Sequence, residues 1–324
     1  MRADFDTNQG RSTAIPAPGS PQVSGLLVVD KPPGLTSHDV VAHLRRWFQL
    51  DKVGHCGTLD PFATGVLVIC VNQATRIAEH LLIQDKHYRC TVRFGVRTDT
   101  QDSTGQVTAT HLGAAPTEAE LRRCLDQFRG TFEQQVPRFA AVKIDGKRLY
   151  AYARQGQTVE LPRREVTVHR LDLLEFNWPD AVLEVASSKG FYIRQLADDL
   201  GQTLGCGAHV GALRRLASGP YTLQQAASLD EFKTMRDQSR WQQRLIPLTS
   251  ALGHLPEVVI EQATVMRRLR NGQLPIGWEV EQRGRHLNTR GPVRLVSGDG
   301  QLLGLWWPNP ETGPRRLRIF KPLP

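Results

Sequence analysis

The chain has 324 residues, 40% hydrophobic and 23% charged, which is enough apolar material for a packed core and excludes a globally disordered polymer. Lys and Arg number 41 against 32 Asp and Glu, a formal charge of +9, with an isoelectric point near 9.6. That excess favours a polyanionic partner, although charge alone leaves a basic enzyme with a small substrate open.

Five cysteines occur, at 56, 70, 90, 124 and 206. None forms a C-x-x-C pair and no spacing fits a zinc site, so we expect a reducing, cytoplasmic setting and no metal. No stretch reaches the roughly 18 apolar residues that span a membrane. The opening "MRADFDTNQGRSTAIPAPGSPQ" has no apolar run of the signal-peptide kind. It is rich in Gly, Pro, Ser and Thr, and we expect residues 1–23 to be a disordered extension.

Order is expected from Ser24. The run Leu26–Val29 reads as a buried strand ended by Asp30 and two prolines. Ser37 reads as the N-cap of a helix that puts Val40, Val41, Leu44 and Phe48 on one face. "VLVICV" (66–71) is β-branched and bounded, hence a strand, and "ATRIAEHLL" (74–82) a helix. "KHYRCTVRF" alternates, with Tyr88, Cys90, Val92 and Phe94 on one face. A helix starts at Thr117 and is closed by Gly130. The basic, turn-rich segment 132–165 reads as a lobe rather than core. Two paired strands and an amphipathic helix, "YIRQLADDLGQTLG", follow. A break falls around 245–256. From Glu257 short strands and turns dominate, with eleven Lys/Arg against six acids.

The chemistry-bearing stretch is "GHCGTLDPFATG". Gly54 and Gly57 permit unusual backbone angles, and Pro61 restricts Leu59 and Asp60. A carboxylate held so ahead of a buried strand suits covalent or general-base work, though an Asp in a Gly-rich turn also braces turns. His55 has no ligand-spaced partner, and Cys56 reads as a small buried residue. "SSKGFYIRQ" sets Phe191, Tyr192 and Arg194 at a helix start, where Arg194 is able to pair with a carboxylate and keep it ionised. Tyr88 is either core or a platform for a base. No phosphate-binding G-x-x-x-x-G-K-[ST] and no strand-linked G-x-G-x-x-G is present, which argues against nucleotide cofactors.

Four blocks stand in one order: "GLLVVDKPPGLTSHDVV", "VGHCGTLDPFATGVLVI", "KHYRCTVRFGVRTDTQDSTGQV" and "KGFYIRQLADDLGQTLGCGAHVGALRR". Together, from about Gly25 to Tyr221, they resemble the TruB family of bacterial tRNA pseudouridine synthases. The resemblance implies an α+β pseudouridine-synthase fold with a mixed, largely antiparallel central sheet flanked by helices. It implies a catalytic domain over 24–250 with an RNA-gripping insertion at about 132–165. Residues 257–324 would form a small β-rich, PUA-like RNA-binding domain. The implied reaction isomerises uridine-55 of the tRNA T-loop to pseudouridine, with no cofactor, no metal, no obligate protein partner and a monomeric enzyme.

By position, Asp60 is then the catalytic aspartate, Tyr88 the active-site tyrosine and Arg194 the partner of Asp60. His55 fills the space left by the extruded base, and Lys31 with Pro32 belongs to a block that supports the catalytic loop. Lys31, Tyr192, Lys143, Lys147 and Arg148 are further expected substrate contacts. One departure is visible: the residue after His55 is commonly Thr in the family and is Cys56 here.

Overall fold

The computed structural model describes residues 23–273, 291–307 and 316–320. The expected disorder of residues 1–23 therefore falls outside the described residues, apart from Val23 itself. A ten-stranded sheet organises the chain. Its main path runs Ala227–Ser228, Gly25–Lys31, Thr64–Val71, Ala208–Ser218, Lys86–Phe94, Asp180–Ser187, Arg163–Asn177 and Gly130–Gln135. Gly25–Lys31 with Ala227–Ser228, and Thr64–Val71 with Ala208–Ser218, pair in parallel. The other neighbours on the path pair antiparallel. The sheet is thus mixed and largely antiparallel, and the class is α+β.

The Thr64–Val71 strand explains its own sequence. Leu67, Ile69 and Val71 enter the larger core, while Val66, Val68 and Cys70 enter a second core on the opposite face. Both faces are covered, so the strand reads as a continuous apolar run. Helices Ser37–Trp47, Glu118–Asp126, Ile193–Thr203 and Leu229–Asp237 supply Leu44, Leu121, Leu196 and Phe232 to the larger core. The opposite face takes Ala74, Ile77 and Leu81, together with Val296, Leu302, Leu305 and Phe320 from the C-terminal region.

That region forms a separate four-stranded sheet in the order Glu257–Ile260, Val293–Ser297, Leu302–Trp307, Arg316–Ile319, with helix Ala263–Arg270. It has its own cluster around Val258, Leu269, Leu295 and Trp306. It docks through Arg76, whose Nη1 donates to the Ile319 carbonyl at 2.5 Å and whose guanidinium lies 5.4 Å from the Phe320 ring centre. Arg318 pairs with Glu79 at 2.7 Å.

Three local expectations are corrected. Thr36, not Ser37, caps the first helix, in a reciprocal capping box with Asp39. Residues 72–77 form a 3₁₀ turn before a short α-helix at Ala78–Leu82, with the Thr75 hydroxyl donating to the Asn72 carbonyl at 2.8 Å. The helix capped by Thr117 stops at Asp126, because Gln127 and Phe128 donate three residues back and tighten the last turn. Gly130 instead opens the next strand.

Strands Gly130–Gln135 and Arg163–Asn177 pair with each other, and the lobe is the chain between them, closed where the Val136 N–H meets the Pro162 carbonyl at 2.9 Å. Within it Asp145-Gly146, both at positive φ, turn a hairpin of Lys143–Ile144 and Lys147–Arg148. Helix Leu149–Arg154 follows. Val136, Ala140 and Leu149 are buried in a cluster that also receives Tyr192.

Candidate active site

The loop carrying Asp60 links the short strand Val53–His55 to Thr64–Val71, and other elements hold its backbone. The Ser37 hydroxyl accepts from the Leu59 N–H at 2.8 Å and donates to the Leu59 carbonyl at 3.0 Å. The Pro61 carbonyl accepts from Lys31 Nζ at 3.1 Å and from the Gly34 N–H at 2.8 Å. Arg215, buried at 1% exposure, donates to the Gly57 carbonyl at 3.0 Å, the Thr58 carbonyl at 3.4 Å and the Val66 carbonyl at 2.6 Å. Gly65, at φ +102°, closes the loop where a Cβ would lie 2.2 Å from the Arg215 carbonyl oxygen, so a side chain has no room there.

Asp60 meets Arg194 along two prongs, Nε to Oδ2 at 2.9 Å and Nη2 to Oδ1 at 3.4 Å. The Arg194 side chain is 4% exposed and that of Asp60 33%, so the carboxylate alone faces open space. Arg194 also donates to the carbonyls of Thr100 at 3.0 Å and Phe139 at 2.9 Å. A second carboxylate, Asp102 Oδ2, lies 3.9 Å from its Nε. Asp102 is fixed by the hydroxyls of Thr100 at 2.8 Å and Thr104 at 2.6 Å. Burial pushes the Asp60 carboxyl above its ordinary value and Asp102 adds to the rise, while Arg194 and Lys31 oppose it. The expectation that Arg194 decides the charge of Asp60 is therefore incomplete: it offsets a larger desolvation.

Asp60 and Arg194 border a pocket of about 340 Å³ together with Tyr88, Tyr192, Lys86 and Arg215. Tyr88 stands opposite Val185 on one neighbouring strand and Arg215 on the other. Tyr192 immediately precedes the helix of Arg194. Its N–H donates to Gln134 Oε1 at 2.8 Å and its carbonyl accepts from Gln134 Nε2 at 3.0 Å. Burial raises the Tyr192 phenol. Lys86 donates to the carbonyls of Leu82 at 2.7 Å and Gln84. Burial beside Arg215 lowers its ammonium to about 8.

The other expected residues lie apart from the pocket. Lys31 is corrected as a substrate contact: it is fully buried and its ammonium serves the carbonyls of Pro32, Leu35 and Pro61. It supports the loop instead, with burial lowering its pKa to about 8. His55 ends the short strand that leads into the loop, opposite Ile69. Burial lowers its pKa, with the nearby Arg215, His38 and Arg148 adding to the effect, so the ring is neutral at neutral pH. Its Nδ1 is buried without a partner. In the lobe, Lys143 and Arg148 are exposed. Lys147 is turned inward over the Tyr152 ring at 4.4 Å, with its amine on Gln155 and Gln157, and braces the lobe. Cys56 packs its sulfur 3.2 Å from that of Cys70, and both are wholly buried. That contact and burial raise the Cys70 thiol, so this sulfur is not poised to react.

Sequence reasoning missed Ser37, Lys86, Asp102 and Arg215 as parts of the site. Asp102 and Arg215 stood inside quoted blocks, "RTDTQDSTG" and "GALRR", but nothing local marks which Asp or Arg turns inward. Among the described residues, no cluster of three or more His, Cys, Asp or Glu could hold a metal ion, and no helix is long and apolar enough to cross a membrane.

Comparison with known proteins identifies the family. The family described as "TruB family pseudouridylate synthase (N terminal domain)" matches residues 45–193, and "tRNA pseudouridylate synthase B C-terminal domain" matches 194–253. The first range holds His55, Asp60, Tyr88 and Tyr192, and Arg194 opens the second. A tRNA pseudouridine synthase B from Syntrophobacter fumaroxidans is 54% identical over 299 residues, covering 92% of this chain and 98% of its own. One from Symbiobacterium thermophilum is 46% identical, covering 76% and 82%. Among solved structures, an H/ACA RNP bound to a substrate RNA containing 2′-deoxyuridine matches with TM-score 0.64 and 25% identity over 91% of this chain and 83% of that one. A Cbf5-Nop10-Gar1 complex matches with TM-score 0.66 and 24% identity over 94% and 88%, a likeness of fold.

Proposed function

The chain belongs to the TruB family of pseudouridylate synthases, and we propose that it is a cytoplasmic enzyme isomerising uridine-55 in the T-loop of tRNA to pseudouridine. Its relatives carry the name tRNA pseudouridine synthase B, which supports pseudouridylation of tRNA as the reaction class. The observation that carries the reading to these residues is the Asp60–Arg194 pair on the wall of a pocket that also presents Tyr88 and Tyr192. Residues 24–250 would hold the catalytic unit, and 257–324 a further RNA-binding surface.

Pseudouridine is an isomer of uridine, so no electrons enter and no cofactor is required. The N1–C1′ bond breaks, the uracil turns, C5 bonds to C1′, the C5 proton leaves and N1 takes up a proton. The ionised Asp60 starts this either by attacking C1′ or by taking a ribose proton, and both routes need a carboxylate fixed beside the sugar, as in glycosidases. Arg194 favours the ionised form and so offsets part of the desolvation. Tyr88 stacks on the uracil and moves a proton, and Tyr192 lines the same pocket. The reacting bond is hidden in the folded T-loop, so the base must flip out at a cost of roughly a few kcal/mol. His55, neutral and with an unpartnered Nδ1, suits the vacated space. Lys143 and Arg148 suit the phosphate backbone.

The test is tritium release by the purified chain alone from a tRNA transcript labelled as 5-³H-uridine, beside a transcript with cytidine at position 55. Release from the first and none from the second is expected. Equal release from both overturns the position. No release from either favours a silent tRNA-binding protein or an enzyme that needs a guide RNA.

A further inference from the structure

A carboxylate is aimed by the two peptide planes that meet at its Cα and by its own side-chain torsions. Both planes at Asp60 are fixed. The plane ahead of it contains the Leu59 carbonyl, held by the Ser37 hydroxyl at 3.0 Å. The plane after it contains the Asp60 carbonyl, held by the Ala63 N–H at 3.1 Å. The side-chain torsions are then set by the two prongs of Arg194.

Ser37 is 2% exposed, and its hydroxyl bonds to both polar groups of Leu59. It is not needed to start its helix, because Thr36 does the capping. Arg215 continues the fastening upstream, with its planar fork on the Gly57 and Thr58 carbonyls. Arg215 has no acid partner among the ion pairs of the described residues that would explain it otherwise, and it comes from a separate element, the strand Ala208–Ser218 beside Thr64–Val71.

We propose that Ser37 and Arg215 are positioning residues of the isomerisation, which hold the Gly57–Leu59 backbone so that the Asp60 carboxylate is delivered to the sugar in one direction. This rests on the reading of Asp60 as the catalytic aspartate. Their contribution is to rate rather than to RNA affinity, since Ser37 does not line the pocket and Arg215, which borders it, turns its fork onto the Gly57 and Thr58 carbonyls.

The experiment uses the full chain and unmodified tRNA transcript. Single-turnover rates are measured at saturating enzyme, tRNA Kd by filter binding, and Tm alongside. Ser37→Ala should slow the single-turnover rate by about 10- to 100-fold, the scale of a misplaced reacting group, with Kd unchanged. Thr36→Ala is the stability-matched control. It removes the cap of the same helix, so it should lower Tm at least as much while leaving the rate at the wild-type value. Arg215→Lys keeps the charge and loses the fork, and should repeat the rate loss from another element. An active wild type with Ser37→Ala and Arg215→Lys no slower than Thr36→Ala overturns the inference alone. Rate losses matched by equal losses of binding also overturn it. An inactive wild type overturns the functional reading itself.

Discussion

Asp60 sits between two opposing influences, desolvation by its loop and the charge of Arg194. Asp60→Asn keeps the shape and removes the charge, so we expect isomerisation to fall by roughly 10³-fold or more with tRNA binding retained. Turnover within about tenfold of wild type would remove Asp60 from the chemistry. The pH dependence has a definite sign. With the carboxylate as the working form, as the proposed mechanism requires, the single-turnover rate should fall as pH drops through the raised pKa, on a limb above the ordinary Asp value of about 3.9. Arg194→Met removes the group that lowers this pKa, so the limb of its residual activity should move to still higher pH. A limb at the ordinary Asp value in the wild type would show that burial does not act as described. Tyr88 is argued by two substitutions. A core tyrosine accepts Phe at small cost, a stacking platform accepts Phe but not Leu, and a proton-transferring phenol accepts neither. We expect both variants to bind tRNA and neither to turn over appreciably; a near-normal single-turnover rate for Tyr88→Phe would end the proton-transfer role. At this scale the pairing of Asp60 with Arg194 was legible through the blocks of resemblance, whereas the turn around Asp60 by itself left a structural brace open. Asp102 and Ser37 carry no local signature, because their roles depend on which distant backbone they meet.

At the scale of elements, periodicity identified the buried strands and the helix of Arg194, because their side chains alternate or recur against a single core. Boundaries failed where a side chain had a better use elsewhere. Ser37 left the capping position to Thr36 because its hydroxyl is spent on Leu59. The lobe was legible as basic and turn-rich, but its charges are not equivalent. Lys147 is occupied by Tyr152, Gln155 and Gln157, whereas Lys143 and Arg148 are exposed on the same hairpin. Each phosphate contact contributes about 0.9 to the slope of log affinity against log salt on duplex nucleic acid. Replacing Lys143 and Arg148 together by Ala should therefore weaken tRNA binding and reduce the slope by up to about two, as read from a salt titration. Lys147→Ala should instead loosen the lobe and leave the slope close to wild type. A slope unchanged in the double variant would show that the hairpin does not touch the RNA backbone.

The molecule as a whole is held by a buried face whose C-terminal partner sequence patterning did not reveal. Val66, Val68 and Cys70 face away from the larger core, and Ala74, Ile77 and Leu81 would be expected to cover them if residues 24–250 stood by themselves. All of these are buried in one cluster with Val296, Leu302, Leu305 and Phe320 of the C-terminal sheet. The matched family ranges stop at residue 253, yet the chain beyond it completes the core behind the Asp60 strand. Arg76 and the Arg318–Glu79 pair add polar contacts at the edge of this seam, where an exposed ion pair contributes little, so the apolar contact decides. The two sheets should consequently unfold as one cooperative unit, giving a single calorimetric transition. Leu305 is fully buried in the shared cluster, and Leu305→Ala should destabilise the whole protein by about 2–5 kcal/mol rather than loosen only the tail. Fluorescence from Trp241, which stacks at 4.5 Å on Phe48 in the opposite core, reports the catalytic part in an otherwise Trp→Phe background. If that signal melts at the wild-type temperature in Leu305→Ala while the C-terminal sheet melts early, the seam is a contact between independent domains and not a common core.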